Sequence, residues 1–143
     1  MSFVDMAFLK KKDLQNGILT YRRHKTGQQL FIKWEKTMQE LIDKYDTSDI
    51  PYLLPIIRNN GMDEWHQYQN EAHRINRNLK YIGKQMGWGF PLTTYFPGNA
   101  WAGIAQCKNF SFFFIGDALG HDWGQTTRIY LAFLALSIVT TAN

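Results

Sequence analysis

The stretch "ILTYRRHKTGQQLFIKW", residues 18–34, decides the fold. Two runs rich in β-branched, aromatic and aliphatic residues flank a polar tip that contains Lys25, Thr26 and Gly27. Gly27 can take a positive φ at little cost, so the pattern predicts a β-hairpin. Its expected strands are Ile18 to Arg22 and Gln29 to Lys33, with the tip at 24–27. Outward from this hairpin, the chain reads as helices and connections. Residues 2–9 carry Phe3, Val4, Met6, Ala7 and Phe8 and read as a short helix. "KKKDLQNG", residues 10–17, reads as a polar turn region. "WEKTMQELIDKY", residues 34–45, is an amphipathic helix with Trp34, Met38, Leu41 and Ile42 on one face. "DTSDIPYLLP", residues 46–55, is a loop punctuated by Pro51 and Pro55.

The strongest periodic signal lies between residues 63 and 86. Trp65, Tyr68, Ala72, Ile75, Leu79, Ile82 and Met86 alternate spacings of three and four, one apolar stripe on a long helix. His73, Arg77, Lys80 and Lys84 form a basic stripe beside it, with Arg74 adjacent. Such a face is either solvated or follows a phosphate backbone. "GWGFPLTT", residues 87–94, is a break. Helices are expected at 95–109, at 110–120 and from 122 through Tyr130. The fold class is therefore mainly α with a small antiparallel β-hairpin, an α+β protein. One domain is expected over residues 1–143. It comprises a helix and hairpin (1–33), a helical core (34–130) and a C-terminal segment (131–143).

With 143 residues, 45% of them hydrophobic and 20% charged, the composition suits a globular, cytoplasmic protein. A single cysteine, Cys107, excludes an internal disulfide. The longest apolar run, residues 129–139, is too short to span a bilayer, so no membrane association is expected. It reads as a buried or partner-docking segment. The net charge of +4 is uneven: residues 1–36 hold eight basic and three acidic side chains, 37–71 two and seven, and 72–143 six and two. Two basic blocks suit either a polyanion such as nucleic acid or simply a mildly basic soluble protein. The hairpin tip concentrates Arg22, Arg23, His24 and Lys25, either as surface charge or as a basic finger that reaches a phosphate. His66 and His73 lie about 10 Å apart along one helix and cannot share an ion, so no metal or cofactor is expected.

His121 precedes Tyr130 by nine residues, with Thr126 and Thr127 between. By residue type alone Tyr130 is core packing. A phenol becomes a useful nucleophile when cationic surroundings favour the phenolate and the electrophile is a phosphodiester. That reaction needs cations around the non-bridging oxygens and an acid for the leaving alcohol. Tyr130, His121 and Lys25 supply those residue types from three different elements.

Leu-Gly-His-Asp at 119–122, followed by Thr-Thr-Arg-Ile-Tyr at 126–130, resembles the C-terminal signature of the tyrosine recombinases, the phage integrase family. The resemblance is closest to integrases of Bacteroides-type mobile elements and extends over nearly the whole chain. Residues 2–34 look like the family's helix, strand and lysine-bearing hairpin. "NRNLKYIG" (76–83) and "PLTTY" (91–95) look like the approach to its central catalytic helix. The resemblance implies a bacterial enzyme of DNA integration and recombination. In it Tyr130 would attack DNA to form a 3′-phosphotyrosyl link, His121 would hold the phosphate and Lys25 would protonate the 5′-oxygen. Apart from the resemblance, the basic tip and the basic stripe offer Arg22, Arg23, His24, Arg74, Arg77, Lys80 and Lys84 as DNA-binding residues. Residues 131–143 would dock onto a second copy or onto an intact integrase.

The departures are as specific as the matches. The family's second arginine lies in a His-x-x-Arg-His helix. Here Ala100, Trp101 and Ala102 keep the frame, so Tyr95 takes the first histidine's place, Gly98 the arginine's and Asn99 the second histidine's. The first arginine would precede Met1 by about two residues, so an N-terminally truncated domain is expected. Each lost donor to an anionic transition state costs roughly 3–4 kcal/mol, or ~10²–10³ in rate. The resemblance thus implies a surviving fold with crippled strand transfer, or a binding module without catalysis.

Overall fold

A computed structural model describes residues 1–121. In chain order the elements are α1 (Phe3–Ala7), a 3-10 turn (Lys11–Asp13), β1 (Leu14–Gln15), β2 (Ile18–Arg22), β3 (Gln29–Lys33), α2 (Lys36–Ile42), α3 (Glu64–Gln85), α4 (Phe96–Cys107) and α5 (Phe112–Leu119). The expected α+β class is what the chain adopts: the described residues form five α-helices and one antiparallel sheet in the order β1-β2-β3. The helix expected beyond residue 121 and the C-terminal segment lie outside the described residues.

The hairpin strands fall where the sequence puts them, with Ile18 opposite Lys33 and Arg22 opposite Gln29. Alternation sends Leu19 and Tyr21 into the core, while their partners Ile32 and Leu30 are half-buried against the same cluster. Gly27 closes the tip at φ +72°, and its amide donates to the Arg23 carbonyl at 2.8 Å.

Two expectations for neighbouring segments need correction. Residues 10–17 are more than a polar turn, because Leu14 and Gln15 form a third strand paired with Leu19 and Ile18. The two-residue connection Asn16-Gly17 has φ of +51° and +75°, the backbone that matches strand twist in tight hairpins. On α2, Ile42 packs on the sheet cluster with Trp34, yet Leu41 is 57% exposed. Adjacent helical residues point about 100° apart, and here Ile42 takes the sheet side while Leu41 is left to solvent.

The loop at 46–55 has no regular structure, but it builds much of the core. Tyr52, Leu53 and, just beyond it, Ile57 are buried. The backbone of the loop is pinned to residues 9–11: the Lys11 amide donates to the Pro51 carbonyl at 2.8 Å and the Leu53 amide to the Leu9 carbonyl at 2.9 Å. These bonds satisfy main-chain groups that burial would otherwise leave unpaired.

α3 runs as its periodicity predicts. The Asp63 carboxylate caps the His66 amide at 3.2 Å. At the other end Gly87 (φ +71°) makes a Schellman stop, with the Trp88 amide on the Gly83 carbonyl and the Gly87 amide on that of Lys84. The apolar stripe is only partly covered. Tyr68, Ala72, Ile75 and Leu79 are half-buried, whereas Trp65, Ile82 and Met86 are exposed. α1 covers only the N-terminal part, through the Phe3 ring and the Phe8 ring just past its end, both against Tyr68.

Buried tyrosines make the fold sensitive to alkali. Burial, with the nearby Asp5 carboxylate second, pushes the Tyr21 phenol up to about 12. Burial and the 2.7 Å hydrogen bond that Tyr52 donates to Glu64 push Tyr52 up to about 12 as well. A folded pKa above the unfolded value of about 10 means stability that is complete below pH ~10 and lost as pH rises through ~12. Absorbance at 295 nm should show these two phenols ionising together with unfolding. Two extra phenolates appearing near pH 10 in a folded chain would contradict this.

Candidate functional site

α1 and the hairpin are locked together by Asp5. Ser2 Oγ lies 2.5 Å from one carboxylate oxygen and accepts the Asp5 amide, a capping box on α1. The other carboxylate oxygen accepts the His24 amide at 2.8 Å. Asp5 is itself buried, so these bonds fix the base of the hairpin tip at one angle to the helix. The His24 ring then stacks on Trp65 of α3, with centroids 5.7 Å apart.

A second lock joins the tip to the end of α5. Gly120 stops α5 in the left-handed region at φ +68°. Its carbonyl accepts a hydrogen bond from the Arg23 guanidinium and another, at 3.1 Å, from Thr26 Oγ. An added Cβ at Gly120 would lie 2.9 Å from Arg23 Cδ and 3.0 Å from Leu30 Cδ1, so the close approach requires glycine. The next residue, His121, is buried, and its amide donates to the Gly116 carbonyl at 2.9 Å.

α4 arrives from a third direction. Asn76 on α3 accepts the Thr94 amide at 2.9 Å, which ties the segment before α4 to the long helix. Asparagine is a poor helix-interior residue, and here its carbonyl serves a neighbouring segment. Pro97 lies within the first turn of α4, the one part of a helix that tolerates it. Tyr95 is left 68% exposed at the helix start, with Gly98 half-buried one turn on.

These three elements enclose a cavity of about 250 Å³ lined by Arg23, Lys25, Thr94, Tyr95, Gly98, Leu119 and His121, with residues 1, 2 and 4 at one side. It brings together Lys25, His121, Tyr95 and Gly98, four of the residues singled out in the sequence, from stretches as far apart as 25 and 121. Among the described residues no carboxylate lines it. Asn99 is half-buried nearby but does not line it. Tyr130 lies outside the described residues. Arg23 departs from the even spread of surface charge that a basic tip suggests, because its side chain is half-buried in this cavity.

The remaining basic residues are spread outside. Arg22 is exposed and donates to the Gly27 carbonyl at 2.7 Å. His24 lines a different cavity. Arg74 is paired with Glu71 at 2.7 Å, so its charge is already answered. Arg77, Lys80 and Lys84 are exposed along α3 and, among the described residues, have no ionic partner. No three His, Cys, Asp or Glu side chains gather among the described residues as a metal site would need. No helix among them is long and apolar enough to cross a membrane.

Sequence comparison finds no matching family model and no matching curated protein. Comparison of folds does find a match, to a solved structure described as a XerA recombinase. The TM-score is 0.62 and the sequence identity 22%, with 90% of this chain covered. The chain spans 45% of the length of that protein. Its α+β fold is therefore that of a recombinase chain, shared over nearly all of its own length.

Proposed function

We propose that this chain is a DNA-binding domain of the tyrosine-recombinase type, whose cavity takes a backbone phosphate. The observation that carries the reading is the lining itself. Lys25, Arg23 and His121 converge from a hairpin and a helix end, with no acid among them, on a space large enough for a phosphodiester. Anion binding is what such a lining favours, because among the described residues it presents the Arg23 and Lys25 charges and no carboxylate. The exposed Arg77, Lys80 and Lys84 add a second basic surface suited to the flanking backbone. The resemblance to recombinases assigns Tyr130 the attack on phosphorus, His121 a hold on the phosphate and Lys25 the acid for the 5′-oxygen. Integration of a mobile element, a bacterial cytoplasmic setting and pairing through residues 131–143 belong to the same reading.

A non-catalytic DNA-binding module is the second reading, and Gly98 favours it. Glycine offers no donor where the resemblance expects a guanidinium, so binding would survive and cleavage would be slow. A nicked suicide duplex, which traps a covalent intermediate, separates the two. A slow covalent adduct that disappears in Tyr130→Phe supports recombinase chemistry. Salt-sensitive binding without adduct supports the module. Absence of salt-sensitive binding removes both.

A further inference from the structure

We propose that Arg23, on the hairpin, is the guanidinium that grips the phosphate in this cavity, where Gly98 contributes no side chain. The inference rests on the phosphate-binding reading and assigns it a residue that neither the resemblance nor the fold comparison supplies.

Arg22 and Arg23 are adjacent but differently placed. Arg22 ends β2 and turns its side chain back to the Gly27 carbonyl in solvent. Arg23 is fixed through its backbone, with its amide on the Gln28 carbonyl at 2.8 Å and its carbonyl accepting the Gly27 amide at 2.8 Å. Its side chain enters the cavity, where one terminal nitrogen donates to the Gly120 carbonyl. A guanidinium carries five N–H donors in a rigid plane, so four remain once that bond is made. The bond to Gly120 therefore orients the fork without using it up.

Arg23 also keeps its charge, with no ion pair among the described residues. Arginine does not lose its proton in proteins, so burial cannot neutralise it. Among the described residues Arg23 pairs with no carboxylate. The buried Asp5 carboxylate is already shared between Ser2 and the His24 amide. Lys25 and His121 line the same space, and Gly98 leaves room in it. A planar fork beside a point-charge ammonium suits a tetrahedral oxyanion with two free oxygens, the form of a phosphodiester.

The test is the salt dependence of binding to a mixed-sequence DNA duplex, by fluorescence anisotropy between about 50 and 200 mM salt. Arg23→Ala should make the slope of log K against log salt shallower by about 0.9, the share of one neutralised phosphate. Arg23→Lys should keep the slope and bind more weakly, because it keeps the charge and loses the fork. Thr26→Val removes the other bond to Gly120 without touching charge. It should reduce the melting temperature and leave the slope alone, which separates a positioning effect from direct neutralisation of a phosphate. An unchanged slope in a folded Arg23→Ala would overturn the assignment. If the wild type binds no DNA, the DNA-binding reading of the chain fails, and inorganic phosphate decides whether Arg23 holds an oxyanion. Titrated phosphate should shift the Arg23 Nε–Hε resonance, and a resonance that stays put would reject the role.

Discussion

Gly98→Arg is expected to raise the rate of covalent-adduct formation on a suicide DNA duplex by about 10²–10³, the value of one preorganised donor to an anionic transition state. The substitution places a guanidinium on the first turn of α4, in the wall of the cavity that also holds Arg23, Lys25 and His121. The helix should tolerate it, since replacing a helical glycine gains up to about 1 kcal/mol in propensity. The volume of about 250 Å³ leaves space for the new group. The gain should vanish when Tyr130→Phe is added, and Gly98→Gln should give little of it. An equal rate of adduct formation with and without Gly98→Arg, in a folded protein that binds DNA, would mean that Gly98 does not limit the chemistry.

Gly120→Ala should destabilise the fold by about 2–5 kcal/mol. Two effects add. A side chain in the left-handed region costs roughly 1–2 kcal/mol, and packing it into an occupied space costs about 1–3 more. The occupied space is specific: Arg23 Cδ at 2.9 Å and Leu30 Cδ1 at 3.0 Å from the added carbon. Arg23 cannot swing aside without losing the Gly120 carbonyl. Gly27→Ala is the matched control, because Gly27 has φ +72° with nothing within 4 Å of an added Cβ. It should cost only the backbone part. Urea unfolding measures both, read as a shift in midpoint at constant slope. Equal losses at the two glycines would show that the hairpin does not press on the end of α5.

The bond from Arg23 to Gly120 spans 97 residues, and nothing in the local pattern at either end announces it. Local patterns do carry the elements. Branched and aromatic residues around Lys25-Thr26-Gly27 locate both hairpin strands, and the three-four spacing from Trp65 onward locates α3. β1 is legible too, since Asn16-Gly17 is a strong tight-turn signal, but its two residues are too few for alternation to stand out. The half-bare stripe on α3 has a different cause. Periodicity reports which side of a helix is apolar, not how much of its length a partner covers.

The candidate site is legible in part. Of the residues to which the resemblance points, Lys25, Tyr95, Gly98 and His121 line one cavity, Asn99 does not, and Tyr130 lies outside the described residues. In the sequence Arg23 is only one more charge in a basic tip. Its burial depends on Gly120 having no side chain and on Asp5 fixing the tip, two facts of tertiary structure.

Amide and side-chain NMR shifts during titration with a short DNA duplex at low salt bear most directly on the phosphate cradle. The largest changes should fall on Arg23, Lys25, Tyr95, Gly98 and His121, with smaller ones at Arg77, Lys80 and Lys84. Changes confined to other surfaces, with these cavity signals unmoved at saturation, would contradict it.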